Sequence, residues 1–204
     1  MPDSLSVLLV EDDNAVRASS IQTLQIAGIE AKGFGVAEAV RDLLHPEFPG
    51  VIVTDVRLPG MDGLALLEQA MRIDPKLPVV IITGHGDIAM AVTAMKEGAF
   101  DFVEKPYDAE RLIAGIGKAL AAGEQLRTRE SQRTELLQRL AELSPRQKEV
   151  MQLVAEGLSN KQIAHHLGIS PRTVENYRAW VMERMGAANI AELVRKVLIL
   201  ERGS

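Results

Sequence analysis

The sequence predicts a doubly wound α/β domain built on a five-stranded parallel sheet, followed by a small all-α domain. Three observations carry this. Apolar β-branched runs alternate with helical patterns from residue 5 to about 120, no strand pattern returns after Ser144, and acidic charge gives way to basic charge along the chain.

The strand candidates are 5–10, 29–34, 51–54, 79–82 and 100–103. They are near-continuously apolar, as expected of a parallel sheet covered on both faces. Amphipathic stretches such as 14–27, 63–73 and 87–97 lie between them. Gly28 and Gly98 each follow a helical pattern, where a left-handed C-terminal residue is wanted. Five βα units of this length read as a doubly wound α/β domain, the class to which flavodoxin-like folds belong.

Residues 121–143 are polar, rich in Arg, Glu and Gln and free of proline. They read as a helix able to continue the fifth helix of the first domain. Leu112, Ile116, Leu120, Leu126, Leu137 and Leu140 roughly keep heptad spacing, interrupted by Glu130 and Arg133. A linker helix and a short dimer coiled coil both remain open. Beyond it, Ser144-Pro145-Arg146-Gln147, Ser159-Asn160-Lys161-Gln162 and Ser170-Pro171 carry helix-start chemistry. Ser followed three residues on by Gln satisfies two orphan N–H groups, and Pro suits the first helical position. Gly157 and Gly168 end the intervening helices, and a last helix starts at about Ala188. The expected domains are 1–120, a linker at 121–143, and 144–204.

Apolar residues make up 47% and charged residues 25% of the 204, an ordinary globular balance. With no cysteine, disulfides and thiolate metal sites are excluded. The opening segment lacks a basic n-region, and no apolar run approaches the roughly 18 residues that span a bilayer. A soluble, cytoplasmic protein without a membrane partner is expected. The net charge of −5 conceals an asymmetry: residues 1–120 carry 10 Lys/Arg against 18 Asp/Glu, and residues 144–204 carry 9 against 6. An acidic body and a mildly basic tail suggest different partners.

In an open α/β sheet, ligands bind outside the carboxyl ends of the strands. There the first strand runs into Glu11-Asp12-Asp13, the third ends at Thr54-Asp55, the fourth at Thr83, and the fifth precedes Glu104-Lys105-Pro106. Alone, Asp12 or Thr83 reads as an ordinary solvated residue; together they form a set. Carboxylates ~4 Å apart repel by roughly 4 kcal/mol at an effective dielectric of about 20. Such a cluster requires protonation or a cation, and Mg²⁺ with several retained waters suits the ligands. A metal, the Lys105 ammonium and the Thr83 hydroxyl around one carboxylate can stabilise a phosphoryl group in flight. Asp55 is then the nucleophile, giving an acyl phosphate.

The stretches LLVEDD, VTDVRLPGMDGL, VVIITGHGD and GAFDFVEKPY, in this order and spacing, resemble the receiver domains of two-component response regulators. The match spans residue 5 to about 120. It implies Asp55 as phosphoacceptor and Glu11 and Asp12 as the acidic pair, with Asp12 and the Arg57 backbone carbonyl as Mg²⁺ ligands beside Asp55. It further implies Thr83 and Lys105 as phosphoryl-binding switch residues, Phe102 as the aromatic switch and a cis Lys105–Pro106 bond. On pattern alone an aromatic on a parallel strand belongs to the core; only the spacing to Lys105 makes Phe102 a switch. Glu11 stands where Asp is commoner, so its longer arm reaches a metal through water. His85 and Arg57 border the site, and His45 reads as a surface residue.

The stretch 160–179 has helix-turn-helix logic. Ala164 is small at the helix crossing, Gly168 sits at the turn, and Ile163, Leu167, Ile169 and Val174 form a seam. These features alone also fit a buried αα-hairpin. At 100° per residue Val174, Tyr177, Val181 and Met185 face inward, while Arg172, Glu175, Asn176, Ala179 and Glu183 face outward. An amide-bearing residue such as Asn176 near the start of that helix suits a major-groove reader. Residues 143–200, through LSPRQKEVMQLVAEGLSNKQIAHHLGISPRTVENYRAWVMERM, resemble the four-helix LuxR/FixJ-type DNA-binding domain. The resemblance implies phosphate contacts from Asn160, Lys161, Arg172, Thr173 and Tyr177, and base-facing positions for Glu175, Asn176 and Ala179. Gln147, Glu175, Tyr177 and Trp180 depart from the commoner residues, which bears on the operator sequence. Exposed polar roles fit His165 and His166, and a packing or dimer contact fits Trp180.

Together these resemblances imply a FixJ/NarL-like regulator. A sensor histidine kinase phosphorylates it on Asp55, it pairs into a homodimer, and it binds double-stranded DNA, with activation of transcription the expected outcome. An aspartate-nucleophile phosphohydrolase would want an acid at position 57, where Arg stands. A tail that binds protein in place of DNA is the remaining alternative, supported by the modest basic excess and Glu175.

Overall fold

The computed structural model describes residues 7–46, 48–84 and 88–201. The chain divides into two compact units, Met1–Arg127 and Thr128–Ser204. The division falls inside the stretch 121–143.

In the first unit the strands are β1 (Val7–Val10), β2 (Ala31–Phe34), β3 (Val51–Asp55), β4 (Val79–Thr83) and β5 (Asp101–Glu104). They form one parallel sheet in the order β2-β1-β3-β4-β5, the doubly wound arrangement expected. β1, β3 and β4 are buried throughout, and alternate residues supply two cores. Leu8, Val10, Ile52, Val79 and Ile81 pack with α2 (Glu38–Arg41), α3 (Gly63–Ile73) and α4 (Ile88–Lys96). Val7, Leu9, Val51, Val53, Val80 and Ile82 pack with α1 (Asn14–Ile26) and the start of α5 (Ala109–Ala141). The expectation of strands buried on both faces fails for β5, of which only Val103 is buried, and for β2, whose residues are half-buried or exposed. As an edge strand carrying Lys32 and Gly33, β2 has one neighbour and little to bury. β5 begins one residue later than its apolar run, with Asp101 beside Val80 as its first registered pair, although the Phe100 N–H already donates to Val79 O at 2.8 Å. Gly28 and Gly98 have φ of +75° and +103°.

In the second unit the end of α5 joins α6 (Pro145–Ala155), α7 (Asn160–Leu167), α8 (Pro171–Arg184) and α9 (Ile190–Glu201). Ser144 and Ser159 form reciprocal capping boxes with Gln147 and Gln162, and Ser170 caps α8 through Thr173 N. Gly157 and Gly168 adopt φ of +89° and +65°. Ile163, Ala164, Val174, Val181 and Met185 are buried in one core with Leu136, Val150, Leu193 and Val197. Among the described residues no helix is long and apolar enough to cross a membrane.

Candidate functional site

The register of the sheet brings the acidic set to one edge. Glu11 follows β1, Asp55 is the last residue of β3, Thr83 is the last of β4, and Lys105 follows β5. Glu11, Asp55 and Thr83 are all buried. Between the two acids stands Lys105, whose Nζ donates to Glu11 Oε2 at 2.6 Å and to Asp55 Oδ2 at 2.5 Å. Partial burial acts to lower the affinity of this ammonium for its proton. The hydrogen bonds and charges of Asp55 and Glu11 outweigh it, and Lys105 titrates above its ordinary value.

The backbone fixes this geometry. Asp55 Oδ1 accepts the Arg57 N–H at 2.9 Å, and Lys105 N–H donates to Thr83 O at 2.7 Å. The Lys105–Pro106 bond is cis, as the receiver resemblance implied. α3 starts hard against β3: a Cβ at Gly63 would lie 2.1 Å from the Asp55 carbonyl oxygen. Glu38 of α2 braces the β3–α3 loop by accepting the Met61 N–H at 2.9 Å. Its carboxyl is held below its ordinary value by such backbone bonds.

The expected crowding of three acids is corrected by this arrangement. Two carboxylates are buried around one ammonium, whereas Asp12 is exposed. Part of the compensating positive charge is supplied from within the fold by Lys105. Among the described residues no three His, Cys, Asp or Glu side chains form a ready metal cage. The donors still suit Mg²⁺: three carboxylates against one ammonium leave two negative charges among hard oxygens, and that ion binds through few carboxylates while keeping waters. Arg57 is exposed beside the site, and His85 lies outside the described residues. Phe102 is 39% exposed on β5 and so is no core residue. His45 is exposed, edge-on to Phe48. Arg17, which the sequence reading passed over, donates to the Glu11 carbonyl at 2.5 Å and orders the loop after β1.

In the second unit α8 presents Arg172, Glu175, Asn176 and Ala179 to solvent, with Thr173 and Tyr177 half-buried at its flank. Asn160 is half-buried and Lys161 exposed at the start of α7. Arg172 Nη1 and Glu175 Oε2 pair at 3.1 Å, and Thr173 Oγ1 lies 2.8 Å from Ser170 Oγ. Arg178, also missed by the sequence reading, donates to Asn160 Oδ1 at 2.8 Å and ties α8 to the start of α7. That amide oxygen is therefore already engaged. His165 and His166 are exposed in the last turn of α7.

Residues 7–117 match the response regulator receiver domain, and residues 141–197 match the bacterial regulatory proteins of the luxR family. The chain belongs to the response regulators. The transcriptional regulatory protein FixJ of Azorhizobium caulinodans is 45% identical over 199 residues, covering 98% of this regulator and 94% of that protein. Nodulation protein W of Bradyrhizobium diazoefficiens is 42% identical over 192 residues, covering 93% and 83%. Among solved structures, response regulator StyR superposes with a TM-score of 0.82 at 37% identity, covering 96% of this chain and 99% of that one. Full-length FixJ from B. japonicum gives 0.59 at 41% identity, with 97% of each chain covered. The regulator is thus a FixJ-like DNA-binding protein of a two-component system, with a receiver and a LuxR-type helix-turn-helix domain. Its family comprises transcription regulators. A receiver implies a histidine kinase partner, and receivers generally bind Mg²⁺ at the phosphorylation site.

Proposed function

We propose that a sensor histidine kinase transfers a phosphoryl group to Asp55 and thereby controls how the second domain engages duplex DNA. The observation that supports this is the burial of Asp55 at the end of β3 with its Oδ2 2.5 Å from Lys105 Nζ. In the transfer a carboxylate oxygen of Asp55 bonds to phosphorus while the phosphorus–nitrogen bond of a kinase phosphohistidine breaks. The electron pair stays on the imidazole, which takes a proton from solvent. Lys105 then turns its ammonium to the phosphoryl oxygens, and the Thr83 hydroxyl adds a donor. Glu11, Asp12, Asp55 and the Arg57 carbonyl would hold Mg²⁺, which when bound neutralises charge on the phosphoryl oxygens. Movement of Thr83 draws Phe102 inward from the adjacent strand.

Asn160, Lys161, Arg172, Thr173 and Tyr177 contact phosphates, while Glu175, Asn176 and Ala179 face base edges. Phosphorylation favours a homodimer that sets two recognition helices on a palindromic site and activates transcription in the cytoplasm. The test is phosphoryl uptake from a small acyl phosphate with Mg²⁺, followed by selection of bound duplexes with and without the donor. Wild type labels and retains a defined sequence, and Asp55→Asn does neither. Equal labelling of both proteins would remove Asp55 from the switch.

A further inference from the structure

The chain contains one tryptophan, Trp180, and it stands 50% exposed on α8. Tyr177, one turn earlier, meets it edge to face, with ring centroids 5.7 Å apart and planes at 75°. At 100° per residue, Trp180 lies on the flank of α8 that also carries Thr173, Asn176, Tyr177 and Arg184. That flank runs between the buried stripe of Val174, Val181 and Met185 and the outward stripe of Arg172, Ala179 and Glu183.

A half-exposed indole forgoes much of what an aromatic gains on burial, so a partner that covers it gains in affinity. Its surroundings say what that partner is. Tyr177 meets the ring, and the same flank of the helix carries the Asn176 amide and the Arg184 guanidinium, the latter paired with Glu142 at 3.2 Å, in a domain whose 9 Lys/Arg exceed its 6 Asp/Glu over residues 144–204. An apolar plane among hydrogen-bond donors, in a domain of net basic charge, matches sugar faces alternating with anionic oxygens. The indole offers one N–H donor and no hydrogen-bond acceptor, so its positive edge can meet a phosphate oxygen while its face covers apolar surface.

We infer that Trp180, braced by Tyr177, forms an aromatic ledge along the sugar–phosphate wall of the groove that α8 enters. The ring covers a sugar, and Nε1–H donates to a phosphate oxygen. Such a contact adds affinity without reading sequence and without displacing a counterion. The inference rests on the DNA interface proposed above.

The test uses the full-length phosphorylated chain and a fluorescein-labelled duplex carrying the selected sequence, titrated at several salt concentrations. Wild type, Trp180→Ala, Trp180→Phe and Arg172→Ala are compared, with thermal unfolding as the check on folding. Trp180→Ala binds about tenfold more weakly, yet keeps the wild-type slope of log affinity against log salt because no cation is lost. Trp180→Phe recovers part of the loss. Arg172→Ala instead shallows the slope by about 1. In wild type, indole emission changes as unlabelled duplex is added. Wild-type affinity in Trp180→Ala, or indole emission unmoved by saturating duplex, would overturn the ledge while leaving the interface. Loss of self-association in Trp180→Ala, with undiminished binding to a duplex of one half-site, would assign the ring to a second copy of the chain and overturn it too. Failure of wild type to bind any duplex in a salt-sensitive way would remove the interface and the ledge together.

Discussion

Lys105 and Asp55 form a 2.5 Å ion pair in which the ammonium is shared with a second buried acid, Glu11 at 2.6 Å. Removing the cation leaves both carboxylates facing each other without compensation. Lys105→Met therefore lowers stability by about 2–3 kcal/mol, and adding Glu11→Gln restores part of the loss. Urea unfolding of the two variants beside wild type measures both effects. The raised value of Lys105 sets the pH window. Its contribution is complete below the unfolded lysine value of about 10.4 and disappears as pH climbs through the higher folded value. Stability should stay level through neutral pH and fall on the alkaline side, more steeply in wild type than in Lys105→Met.

The acid side has a different signature. Asp13 caps α1, and its carboxyl is held below the ordinary value by the Val16 and Ala15 N–H groups. A depressed carboxyl stabilises the fold above its unfolded value, and the effect is lost as pH falls through the folded one. Asp13→Asn keeps a capping oxygen but cannot titrate. The variant should show a shallower fall in thermal midpoint between about pH 5 and pH 2.

Gly63→Ala tests the junction of β3 and α3. The added methyl would lie 2.1 Å from a backbone oxygen that cannot swing aside. Either α3 lifts or Asp55 shifts, so a loss of about 1–3 kcal/mol is expected, together with slower labelling by a small acyl phosphate. Calorimetry and a phosphorylation time course report the two consequences separately.

Glu175→Gln tests the cost of an anion on the outward face of α8. Its pair with Arg172 is well exposed on both sides and adds little to stability. The amide removes one charge that opposes phosphate and releases Arg172. Affinity for unrelated duplex DNA should rise several-fold at low salt, with a salt slope steeper by about 1. Fluorescence anisotropy across a salt series reads both quantities.

What the sequence made legible was local or periodic. The caps at Ser144, Ser159 and Ser170 and the turn glycines Gly28, Gly98, Gly157 and Gly168 depend on residues within one turn of each other. The inward stripe of α8 follows from its period. The strand ends place Asp55, Thr83 and Lys105 at one edge because parallel pairing leaves their order no alternative. Contacts between distant segments stayed hidden. Five βα units implied a helix after the second strand, but α2 has four residues, too few to show a period, so neither its bounds nor the Glu38–Met61 brace was foreseen. The Arg178–Asn160 bond joins two helices whose crossing no local pattern specifies. The sequence placed Lys105 beside Asp55 but did not reveal that its ammonium is shared with Glu11.

The two outermost strands carry a consequence for self-association. β2 and β5 have four residues each and display Lys32, Asp101 and Glu104, while the Arg17 side chain lies across Gly33. Short, charged and partly roofed borders resist the addition of another chain's strand. A strand from another chain would therefore find little to pair with at either border, which disfavours open-ended stacking of sheets.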